Sequence, residues 1–244
     1  MNDDSAARGE ALDNGARHGR PLVWDAPVRV FHWLMVASFA GAYLTAESEP
    51  WRPLHLALGY AMAGLVVFRI IWGLVGTRHA RFASFVRGPA AVKRYLGTLL
   101  RGDPEHHVGH NPAGGWAIVA LLAFTLAVAG SGWSAYNEFG GDVVEHLHGA
   151  IANLMLALIG LHVAGVLIGS WLHRENLVAA MINGRKQARP DDGVPNTRAS
   201  VAVLLFAAVL GFAWLQWQFV PPSRATDGRA ATIEKSVDHD GDHD

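Results

Sequence analysis

The stretch HLHGAIANLMLALIGLHVAG, residues 146–165, decides how the rest of the chain is read. It is apolar enough to lie in a lipid bilayer, yet it carries three histidines. An imidazole inside a membrane is costly and marks a functional position by default. His148 and His162 are fourteen residues apart, ~21 Å along a helix axis and almost four whole turns. Both side chains therefore face one side of the helix, one near each end. His146, two residues before His148, looks to a different side.

The whole chain has the character of a polytopic membrane protein. Of its 244 residues, 51% are hydrophobic and 17% charged, and the apolar residues are gathered into runs. These are Val30–Ala46, Leu54–Val75, Trp116–Trp133, Val143–Trp171 and Val201–Val220. Most approach or exceed the ~20 residues that cross ~30 Å of hydrocarbon. The first run begins late, after a polar stretch, and lacks the layout of a cleavable signal peptide. Five membrane spans are expected, with short surface helices in PAAVKRYLGTLLRG (89–102) and ENLVAAMINGRK (175–186).

Net charge is only −1, so its placement carries the information. Arg8, Arg17, Arg20 and Arg29 stand at or before the start of the first run. Arg78, Arg81, Arg87, Lys93, Arg94 and Arg101 lie between the second and third, and Arg174, Arg185, Lys186, Arg189 and Arg198 between the fourth and fifth. The other two connections carry Glu47, Glu49 and Arg52, then Glu138, Asp142 and Glu145. The positive-inside rule makes the N-terminus cytoplasmic and the C-terminal tail periplasmic. Residues 1–21 and the acidic tail 221–244, ending DHDGDHD, have the composition of disordered segments. Tryptophans 33, 51, 72, 116, 133, 171, 214 and 217 fall near the ends of runs, as an interfacial aromatic belt requires. The absence of cysteine excludes disulfides, thiolate metal sites, iron–sulfur ligation and covalently attached c-type haem.

Of thirteen histidines, most fall in connections or tails, where a solvated side chain is the expectation for residues such as His79 and His110. Four do not. His32 lies about one turn into the first run and His55 about one turn into the second. With alternating span directions, His32 shares the inner membrane depth with His162, and His55 the outer depth with His148. Two imidazoles per depth, without thiolate or intramembrane carboxylate, suit bis-histidine ligation of two b-type haems better than zinc, which takes three or four close ligands. Glycines 41, 59, 64, 130, 149, 160 and 165 leave room for flat macrocycles or serve close helix packing. Arg69, within the second run and fourteen residues after His55, either pairs with a propionate of the inner haem or snorkels to the interface.

The set formed by VWDAPVRVFHW (23–33), HLALGYAMAGLVVFRIIWG (55–73), GHNPAGGW (109–116) and the H-x13-H pair resembles the bacterial cytochrome b561 family, which includes the b-type subunit of nickel–iron hydrogenases. The resemblance covers roughly residues 22–187. It implies an all-α integral membrane protein whose four-helix bundle binds two haem b groups, with His32, His55, His148 and His162 as ligands. It further implies a bacterial inner-membrane setting and electron exchange with quinone and a partner redox protein. Family members of the usual length have four spans, so the fifth, 201–220, joined through a linker at 188–200, is a departure.

Bis-histidine ligation leaves no open iron position, which argues for outer-sphere electron transfer rather than oxygen chemistry. In the quinol-oxidising direction a periplasmic c-type cytochrome is a fitting acceptor, and Glu138, Asp142 and Glu145 could dock a basic one. Nothing in the chain suggests nucleic acid binding, and monomer and dimer both stay open. Two other readings fit the residues: a histidine-lined transporter or metal permease without haem, and an anchor subunit that recruits partners through its fifth span and tail. The first predicts a colourless protein and the second dispensable haem.

Overall fold

In the computed structural model, residues 19–102, 105 and 107–218 are described; the N-terminal 1–18 and the tail 219–244, with His18, His239 and His243, lie outside them, as does His106. The described residues form helices and two isolated bridges, Gly19 with Ala188 and Leu22 with Arg185. The long helices are α1 (Ala26–Thr45), α2 (Arg52–Val75), α5 (Pro112–Tyr136), α6 (Gly141–Leu172) and α8 (Ala199–Gln218). Shorter ones are α3 (Phe82–Phe85), α4 (Pro89–Leu100) and α7 (Leu177–Asn183).

Local chemistry sets the helix starts. The Asp25 carboxylate accepts from the Val28 amide at 2.9 Å, and Pro27 follows in the first turn, so α1 begins several residues before the apolar run does. Asn111 and Pro112 start α5 in the same way, with the Asn111 side chain accepting from the Gly114 amide at 2.7 Å. Gly184, at φ +80°, ends α7 in the left-handed region that favours glycine.

Helix α6, with 32 residues, is ~48 Å long and overshoots the hydrocarbon core. By length and composition four helical segments can cross a membrane: Glu49–Val75, Pro112–Tyr136, Gly141–Leu172 and Ala199–Gln218. Helix α1 is long enough at 20 residues but is not among them. The reason is its polar content, since Arg29 and His32 sit in its first two turns.

Helices α1 and α2 form one antiparallel pair and α5 and α6 another; α2 packs on α5, and α8 lies against α1 and α2. Phe31, Leu65, Val66, Leu122 and Leu205 form the core where α1, α2, α5 and α8 meet. A second cluster, Phe39, Met62 and Met155, ties α6 to the α1–α2 pair, helped by the Tyr43 hydroxyl donating to Asn153 Oδ1 at 2.8 Å. Helix α4 packs on α5, and its Tyr95 is buried whereas Leu96 and Leu100 are exposed; its apolar side is thus centred one residue from the Val92–Leu96–Leu99 line expected from the sequence.

The two ends of the bundle differ. At one, here the turn end, short connections join α1 to α2 and α5 to α6. At the other, the cap end, residues 19–26 lie against 184–197. The amides of Val23 and Trp24 donate to the Gly184 carbonyl, Val194 to Leu22 and Ala26 to Thr197. Arg29 donates to the Ile182 carbonyl and Trp33 Nε1 to that of Met181, fastening α7 to α1. The 188–198 segment is therefore held down by backbone bonds on its way to α8.

Candidate functional site

At the turn end, His55 of α2 and His148 of α6 face each other with ring centroids 6.1 Å apart and planes 85° from parallel. His55 Nδ1 lies 2.8 Å from the Ala42 carbonyl, and His148 Nδ1 lies 3.1 Å from that of Val128 and 3.1 Å from Ser131 Oγ. A carbonyl only accepts, so each Nδ1 carries the proton and donates. The Nε2 lone pair of each ring is left for a metal, the usual device for orienting a histidine ligand. A centroid spacing of 6.1 Å admits one metal ion between them at the ~2 Å of an imidazole–metal bond. Competing His146 is exposed and belongs to neither ring pair.

At the cap end, His32 of α1 and His162 of α6 are close enough for the charge of one to be felt at the other. Nδ1 of His32 is buried without a hydrogen-bond partner, a polar atom that an apolar bundle tolerates poorly. Among the described residues no three histidines or acids converge as for a free metal ion. The His55–His148 donor set is a facing pair of imidazoles, which suits a planar metallocycle.

Arg69 is only 2% exposed, so it does not snorkel. Its guanidinium lies 5.0 Å from the Phe82 ring centroid and 5.9 Å from that of Phe85, stacking typical of arginine. Asp25 is within electrostatic reach, and NH1 is buried with no partner. Asp25 itself is 1% exposed and also accepts from Trp72 Nε1 at 3.0 Å and Thr77 Oγ1 at 2.7 Å. Helix α2 carries Arg69 four residues before Gly73, against which Phe82 folds so closely that a Cβ there would come within 2.1 Å of the ring.

Two histidines expected to be solvated are enclosed. His79 is 8% exposed and its Nε2 lies 2.7 Å from the Asp192 carbonyl. His110 is wedged between Trp24 and Phe85, with centroids at 4.3 and 4.7 Å, and its Nδ1 is buried without a partner. Burial first, then the charges of Arg69 and Lys186, hold the His110 pKa well below the ordinary histidine value, so the ring is neutral. The glycines at 59, 64, 130, 149, 160 and 165 have no heavy atom within 4 Å of where a Cβ would stand, so they do not serve close packing within the chain. Gly41 does, against Leu58.

Sequence reasoning missed Ser131 and Gly132, which form the seat of His148. A Cβ on Gly132 would stand 2.9 Å from His148 Cε1. Gly132→Ala is expected to displace the imidazole from Ser131 and Val128 and to cost about 1–3 kcal/mol by overpacking. Chemical unfolding in detergent checks this, and an unchanged midpoint would refute the seat. The G-S-G spacing (130–132) opposite a ligand candidate was the available signal, but it has meaning only once the register of α5 on α6 is known.

These features define a multi-pass helical membrane protein with a facing pair of imidazoles, His55 and His148, inside the bundle. A family model described as prokaryotic cytochrome b561 matches residues 23–184, two-thirds of the chain, and the protein belongs to that family. It is accordingly a membrane b-type cytochrome with haem b as its cofactor. The match ends before α8. Similar curated proteins include the probable Ni/Fe-hydrogenase B-type cytochrome subunit of Bradyrhizobium diazoefficiens, 25% identical over 70% of this chain and 88% of its own. The proteins of the same name from Rhodobacter capsulatus (24%, over 75% and 87%) and Azotobacter vinelandii (24%, over 77% and 97%) are also similar. No solved structure matches significantly.

Proposed function

We propose that the protein is a dihaem cytochrome that carries electrons across the bacterial inner membrane between the quinone pool and a partner redox protein. His55 and His148 hold one haem b, His32 and His162 the other, and Arg69 offers its free NH1 to a propionate of the second. The observation that carries this is the facing His55–His148 pair, both rings with Nδ1 engaged by carbonyls and Nε2 free. Held by these four histidines, haem b would supply one-electron chemistry, with no position left open for a substrate.

The chain's own residues supply the rest. Carbonyls of Ala42 and Val128 fix the tautomers of His55 and His148. Arg69, stacked on Phe82 rather than salt-bridged, keeps a donor available for an anionic group, and the buried apolar clusters keep water from the bundle interior. The basic connections support a cytoplasmic cap end, with five spans counting α1 and a periplasmic C-terminus. A hydrogenase as partner agrees with what the relatives are called, and a basic c-type cytochrome with the acid at the turn end.

A reduced-minus-oxidised visible spectrum with haem quantitation on the purified protein tests the reading. Two haem b per chain are expected. A protein without a b-type α band would end it, and a haem-free permease would gain in its place.

A further inference from the structure

Between the two histidine pairs the bundle is closed by side chains placed at regular intervals. Phe39 is seven residues after His32, Met62 seven after His55, and Met155 seven after His148 and seven before His162. Seven residues is ~10.5 Å and nearly two turns, so each stands on its histidine's face of the helix, midway between the two depths. All three are buried, at 9%, 2% and 2% exposure, and they touch as one cluster. Helix α6 makes the point most plainly: of its 32 residues only Met155 and Gly169 are buried. Met35, Phe124, Val128 and Ile159 close the cluster's sides. The Thr125 hydroxyl donates to the Leu121 carbonyl at 2.8 Å and lies 4.0 Å from Met155 Sδ.

We infer that Phe39, Met62 and Met155 are positioning residues: a dry, close-packed septum that serves as the medium through which an electron passes between the two sites and that keeps water out of the path. This rests on the dihaem reading. In the step, one electron leaves ferrous iron at one site and reduces ferric iron at the other; no bond forms or breaks and no proton moves. Quinol is the reductant and the partner redox protein the oxidant at the two ends. Electronic coupling decays less steeply through filled matter than across a gap, and protein interiors are packed to crystal density. Methionine suits the place because its flexible, polarisable thioether fills irregular space among four helices. An alanine there leaves a void whose lining loses its contacts and which the bundle closes only in part.

The test uses the full chain in detergent, with haem content and both midpoint potentials measured first and inter-haem exchange then followed after laser-flash reduction by a ruthenium photoreductant. Met155→Ala and Met62→Ala are expected to keep both haems and both potentials while exchange slows severalfold. Met155→Leu should return to near the wild-type rate. Alanine variants that retain both haems and exchange at the wild-type rate overturn the septum. Should alanine cost a haem, the graded series Met155→Leu and Met155→Val decides, and a rate indifferent to side-chain volume overturns it equally. Wild-type protein without haem shows itself in the first spectrum and removes the reading beneath the inference, a failure distinct from an unresponsive rate.

Discussion

Replacement of His148 by alanine is expected to lower bound haem from two per chain to one, and His55→Ala to remove the same haem. His32→Ala and His162→Ala should each remove the other. The effect should be large because a haem with one axial imidazole gone loses half its protein ligation, whereas the fold loses little. All four histidines are half-buried rather than fully enclosed. Loss of the His148 hydrogen bonds to Val128 and Ser131 costs about 0.5–1.5 kcal/mol each. The bundle therefore persists, and the haem count reports ligation rather than unfolding. The two haems are told apart by their α-band positions and by redox titration of the remaining one. The double variant His55→Ala/His148→Ala should match either single one, since the pair acts as a unit. A crossed result, in which His55 and His162 govern the same haem, would falsify the pairing.

The long helices were legible because each is written locally. The apolar runs, Asp25 with Pro27 and Asn111 with Pro112 are neighbours in sequence, and a fourteen-residue interval fixes the faces of His148 and His162 within one helix. Interactions that join distant segments were not legible. His110 reads as a loop histidine until Trp24 and Phe85, far from it along the chain, close over it. Arg69 reads equally well as a snorkelling or a buried cation, and only the fold of α3 against Gly73 places Phe82 beneath it. The backbone ties of residues 19–26 to 184–197 had no local signature, because Gly184 advertises a helix end and not the partner its carbonyl will meet. Ser131 and Gly132 were invisible for the same reason. In this chain single helices follow from periodicity, while the surroundings of each candidate ligand depend on how helices dock.

That dependence makes Asp25 the residue whose loss should be felt most widely in the fold. Asp25→Ala is expected to destabilise the protein by about 3–5 kcal/mol, through the loss of a helix cap and of the acceptor for two buried donors. Three separate losses contribute. The Val28 amide loses its cap, worth about 1 kcal/mol. Trp72 Nε1 and Thr77 Oγ1, which donate to Asp25 Oδ2, are left without an acceptor in a site that is 1% exposed, at about 1–3 kcal/mol for each unsatisfied buried donor. Arg69, 2% exposed and stacked on Phe82, loses the negative charge within its reach. These terms share one pocket and will not add in full. Asp25→Asn separates them, for its amide oxygen can still cap Val28 while its NH2 group meets the donors of Trp72 and Thr77 and no charge faces Arg69. An intermediate stability for Asn, near that of Ala, assigns most of the cost to the charge and the two donors; a value near wild type assigns it to the cap. Thermal and urea unfolding in detergent give the order. An Asp25→Ala protein within about 0.5 kcal/mol of wild type, the scale of an ordinary surface change, would mean that Arg69 is held by the Phe82 and Phe85 rings alone, and that the cap end does not depend on the carboxylate beneath it.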